Sequence, residues 1–221
     1  MKKLALCAFA AGSLALMGCQ SMIDKAKKEA KYSAYEMVGV EKRDLFKKEV
    51  KKVQSSQEDT SEAFKDALEK LQKIYAFDGG NLERQYKSLN SSYEDAQKEV
   101  ASVHERVKTL ETTAEDLFKE WEGEIQQISA ADLRRKSSEN LRATRQHYNQ
   151  FHASLKKSEK SMDPVLQKLK DHVLYMKHNL NAKAIAGLKV ESDKIQNDIA
   201  ALIKNMNDSI AQAESFAKTI D

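Results

Sequence analysis

Apolar residues recur along this chain at alternating steps of three and four. From Phe46 the series runs through Val50, Val53, Gln57, Thr60, Phe64, Ala67 and Leu71 to Ile74. After FDGGN it restarts at Leu82 and passes Tyr86, Leu89, Tyr93, Ala96, Val100, Val103, Val107, Leu110, Ala114 and Leu117 to Trp121. A third series runs from Leu141 to Leu169, and a fourth from Ile185 to Ile220. Such spacing keeps side chains on one face of an α-helix, whereas a half-buried strand alternates every second residue. Each series is a heptad seam that needs a partner to cover it.

The punctuation between the seams predicts where the helices end. Gly79-Gly80 breaks the first run and leaves Asn81 as N-cap of the second. Ser129 and Asp132 have capping-box spacing, and Asn179 and Asn181 mark the third turn. Helices are therefore expected over roughly 24–76, 81–128, 130–179 and 182–220, with a kink at Pro164. Short connections make sequential helices antiparallel neighbours. The expected fold is all-α, an elongated antiparallel up-down-up-down four-helix bundle or coiled coil, about 60–75 Å long at 1.5 Å per residue. The start of the first helix, the 129–132 turn, Trp121 and the C-terminus should share one end.

Composition agrees: 32% of the residues are charged, and the chain holds one proline and seven glycines. That balance belongs to long helices, not to disorder. The formal net charge of +3 creates no strong field, and no nucleic-acid partner is expected.

The first residues change the picture most. MKK followed by LALCAFAAGSLALMG has the charged start, short apolar run and small residues of a secretory signal. The apolar run falls short of the ~20 residues that span a bilayer. Leu16-Met17-Gly18-Cys19 resembles the lipobox of bacterial lipoproteins, which implies cleavage after Gly18 and acylation of Cys19, with palmitate among the acyl chains. The expected organisation is a signal peptide at 1–18, a lipidated N-terminus and tether at 19–31, and a helical bundle at 32–221. Cys7 leaves with the leader, so Cys19 is the sole remaining thiol and no internal disulfide can form. Two or three acyl chains anchor a protein stably where one does not. Gln20, in place of the aspartate that resembles an inner-membrane retention signal, favours the periplasmic leaflet of the outer membrane. The alternative is the periplasmic face of the inner membrane.

Three stretches carry a wider likeness: YSAYEMVGVEKRDL (32–45), LRRKSSENLRATRQHYNQ (133–150) and VLYMKHNLNAKAI (173–185). Together they resemble a domain-of-unknown-function family of proteobacterial coiled-coil lipoproteins. Phe46 and Met176 stand where that family often has leucine. The resemblance implies architecture and export, and no activity. Some relatives are labelled repair ATPases, but this chain has no GxxxxGK[ST] loop to cradle phosphates.

Candidate chemistry is sparse. None of the five histidines follows a glutamate at the three-residue spacing that di-iron bundles use, and no GxSxG elbow is present. No catalytic residue, metal or cofactor is expected. Three clusters exceed plain heptad filler. Arg134, Arg135, Lys136, Arg142 and Arg145 either meet a lipid headgroup, an anionic glycan or an acidic partner, or pair with Glu115, Asp116, Glu120, Glu122 and Glu124 of the second helix. Tyr32, Tyr35 and Trp121 form an aromatic cap or a docking point. Gln57, Thr60 and Ser158 form a midbundle polar layer, which sets register or, alternatively, holds a small ligand. The function expected is that of a non-enzymatic, lipid-anchored helical spacer, scaffold or adaptor for another envelope protein or glycan. The alternative is a small-ligand- or metal-binding bundle in the periplasm. The sequence sets no oligomeric state.

Overall fold

The computed structural model describes residues 41–76 and 81–220, with side chains described except at 182–184 and 186–192. The expected signal peptide, lipobox and tether, with Tyr32, Tyr35 and the Gly79-Gly80 break, lie outside the described residues. Four helices are present among the described residues: α1 (Lys42–Tyr75), α2 (Leu82–Gln127), α3 (Ala131–His178) and α4 (Ala182–Ala217). The chain divides into Met1–Leu45 and a compact unit from Phe46 to Asp221, and the bundle described below is that second unit.

Cross-helix hydrogen bonds fix the topology. Between α1 and α2, Ser56 pairs with Ser102 and Asp66 with Ser92, so the index falls on one helix as it rises on the other. The same antiparallel progression joins α2 to α3 through His104–Glu159 and His152–Glu111. It joins α3 to α4 through Ser161–Asn205 and Lys168–Asp198, and α1 to α4 through Gln54–Glu214 and Gln72–Gln196. Across the diagonal α1 and α3 run parallel, with Gln57 meeting Ser158 and Tyr75 meeting His172. The up-down-up-down bundle is thus observed. Its closest backbone approaches are those of α3 to α2 and to α4.

The seams are the core. Phe46, Val50, Val53, Gln57, Thr60, Phe64, Ala67, Leu71 and Ile74 are all fully buried. So are Leu89, Leu110, Phe151, Leu155, Met162, Leu169, Ile199 and Met206 on the other helices. Leu82, Tyr86 and Trp121 pack only partly buried against them. At one end an aromatic cluster closes the core: the Phe46 ring lies 6.1 Å from Phe118, 5.7 Å from Tyr148 and 5.6 Å from Phe216, each edge-on. Edge-to-face geometry sets the positive rim of one ring against the negative face of the next. Burial pushes the Tyr148 phenol well above its usual range.

The helix ends meet one expectation and correct two. Asn81 caps α2 as expected, its side chain accepting from the Arg84 N–H at 2.9 Å. Ser129 does not cap α3: Ala130 holds the extended N-cap position, with no side-chain hydrogen bond. The chain enters α3 one residue later than the capping-box spacing implies, leaving the first amides of α3 without a side-chain acceptor. A helix running unbroken from 24 to 76 is also excluded. Glu41 is non-helical, and its carbonyl receives the first α1 bonds, from Asp44 N at 3.0 Å and Leu45 N at 3.2 Å. Pro164 lies inside α3, as expected, and the helix continues through it to His178. Pro164 is exposed, and a helix supported on both sides by packed seams tolerates the one missing N–H donor.

Candidate functional site

The basic cluster belongs to the first turns of α3, beside the end of α2. The structure divides it into paired and unpaired cations. Arg145 reaches across to Glu122, holding that carboxylate's pKa below its usual value, and its guanidinium stands 5.1 Å over the Phe118 ring. Arg135 stays on its own helix, 3.0 Å from Glu139 and 4.0 Å from Asp132. Arg134, Lys136 and Arg142 are exposed and make no ion pair among the described residues. Next to them Leu133 is 59% exposed, more than any other large apolar side chain described. Trp121 lies at the same end, but its indole N–H donates to Ser137 at 3.0 Å, which joins α2 to α3. Part of the cluster therefore serves the fold, and part faces outward. Below it, Leu141, Arg142, Arg145, Gln146, Asn149 and Ala153 line an open, shallow face of α3 whose accessible lining is mostly carbon, walled by that helix alone among the described residues.

The polar layer is present at midbundle. Gln57 Nε2 donates to Ser158 Oγ at 3.0 Å, and Thr60 returns its hydroxyl proton to the Ser56 carbonyl at 2.7 Å. The layer is larger than the three residues expected. Ser56 bonds Ser102 at 3.2 Å, Asn205 reaches Ser161, and Ser61 and Ser209 are buried beside them. Ser209 stands on the fourth seam, and antiparallel register from Gln57 could have placed it there.

A third arrangement escaped the sequence. On the α2–α3 face His104 lies between Glu159, at 2.9 Å, and Asp163, at 3.2 Å. Lys156 bridges Glu159 and Glu111, and Glu111 also meets His152 at 2.8 Å. Apart from Lys156–Glu159, which lies within α3, these are ion pairs across the α2–α3 interface. No group of three or more metal-ligating side chains occurs among the described residues, and no helix there is long and apolar enough to cross a membrane.

No curated protein sequence matches the chain. A family model does, over residues 31–220, and its description is a protein of unknown function. The match runs from the segment before α1 to the last buried residue of the bundle, so the three motifs and all four seams fall within one family unit. The chain belongs to the DUF2959 family of proteins of unknown function.

Proposed function

We propose that the protein is a non-enzymatic bacterial envelope lipoprotein, in which acylated Cys19 tethers a helical bundle that serves as scaffold or adaptor for another envelope component. The observation that carries this reading is Leu16-Met17-Gly18-Cys19, placed directly behind a charged start and a short apolar run. Gln20 favours the outer membrane. The bundle itself supports a mechanical or adaptor role: its seams are packed with buried side chains, and three of its five histidines, His104, His152 and His172, are engaged in pairs between helices. Leu133, Arg134, Lys136 and Arg142 are the adaptor's contact surface, because their exposure and free charge add nothing to helix packing. Their fit is to an anionic envelope protein or glycan.

Labelling cells with palmitate tests the anchor. The wild-type chain should take up label and Cys19→Ser should not; label in the variant would refute acylation at Cys19. Crosslinking in intact cells tests the surface. Arg134→Glu with Arg142→Glu should abolish partner crosslinks while leaving the melting midpoint within about 2 °C, since exposed positions contribute within ~0.5 kcal/mol.

A further inference from the structure

Five buried side-chain polar atoms lack a hydrogen-bond partner among the described residues, and three of them, on Gln57, Ser61 and Ser209, lie in the middle of the core. Gln57 and Ser209 are both fully buried, and neither Gln57 Oε1 nor Ser209 Oγ makes a hydrogen bond. Register brings them to one level. The α1–α4 bonds Gln54–Glu214 and Gln72–Gln196 set Gln57 opposite Ala211, about 3 Å of helix rise from Ser209. The α3–α4 bonds Ser161–Asn205 and Lys168–Asp198 set Ser158 opposite Asp208, one residue from Ser209. Gln57, Ser158 and Ser209 thus meet from three helices at one height.

Exchanging the amide atoms of Gln57 does not remove the problem. The nitrogen would then stand free in place of the oxygen, so one amide atom is orphaned in either assignment. Thr60, Ser92 and Thr113, also buried, each donate to the carbonyl four residues back, while Ser209, like Ser61, makes no hydrogen bond. Ser158 and Ser209 are small side chains facing Gln57, where many other seam positions hold leucine, isoleucine, methionine or phenylalanine. Small side chains beside unsatisfied buried donors and acceptors are the setting in which an internal water is held.

We propose that the bundle binds a water molecule at this layer, bridging the free amide atom of Gln57 and the Ser209 hydroxyl beside Ser158. The water completes a polar contact between α1, α3 and α4 that exists in one register only. A slip of either neighbour by a heptad would separate the three groups and bury each alone.

A crystal structure of the full chain at a resolution that shows ordered waters tests this directly. A water within hydrogen-bonding distance of both Gln57 and Ser209 is expected; direct contact between the two side chains, or no density between them, overturns the proposal. Thermal melting gives an independent reading. Ser209→Ala removes a partner of the water, so its midpoint should fall below that of Ser55→Ala, an exposed position in mid-α1 that corrects for helix propensity. A midpoint equal to or above that reference means the hydroxyl was an orphan in a dry core, and the proposal fails.

Discussion

His104 is offered an acceptor at each ring nitrogen, and only the imidazolium form donates from both. Burial of the ring works against that charge, but the bonds to Glu159 and Asp163 and their negative charges outweigh it, holding the pKa above 6.5. Lys156 faces the same Glu159 and competes for it. Because the folded pKa exceeds the unfolded one, the stabilisation is complete below about pH 6.5. It is lost as pH rises through the raised folded value. The ring is 37% exposed, so solvent screening reduces the contribution to about 0.5 kcal/mol or less. The melting midpoint should therefore fall by about 1–2 °C across that window, and His104→Gln should flatten the slope. A pH series of melts on both proteins, with the His104 resonance titrated in parallel, checks this.

Helix termini show what one residue of register is worth. Asn81 caps α2, and Asn81→Ala should cost about 1 kcal/mol. Ala130 occupies the same position on α3 with suitable extended dihedrals and no acceptor, so Ala130→Asn should gain a similar amount. In a bundle of this size each corresponds to a midpoint shift of about 2–4 °C, in opposite directions. The seams behind these termini were legible because burial on a helix repeats at 3.6 residues, and every seam position from Phe46 to Ile74 is buried. The α3 start was not legible: Ser129 and Asp132 have the right spacing, but the chain places its extended residue at Ala130. Partner choice was equally hidden. Which arginine meets Glu122, or which acids flank His104, depends on the axial alignment of α2 with α3. Local spacing carries no information about that. For the same reason the arginine cluster read as one feature, whereas the fold uses Arg145 and leaves Arg134 and Arg142 outside.

For the whole molecule, the decisive contact is the closure of α1 against α4. Phe46 meets Phe216, and Gln72 meets Gln196, across more of the chain than any neighbouring pair of helices spans. A chain ended at Asn181 lacks that cover for the α1 seam. It should lose its cooperative melt and be cut rapidly within residues 42–75 by a protease that leaves the full chain intact. Limited proteolysis of the two chains side by side checks this outcome.

The order of synthesis gives that closing contact a second meaning. α1 is translated first and α4 last, so the side of the α1 seam that α4 covers stays open, although α2 and α3 already flank it, while the rest of the polypeptide is made. Helices α2 and α3 can pair as soon as they emerge, since only a three-residue turn separates them. α1 completes its packing only once α4 has been made, so a chain stopped short of α4 leaves exposed the apolar surface that the finished bundle buries.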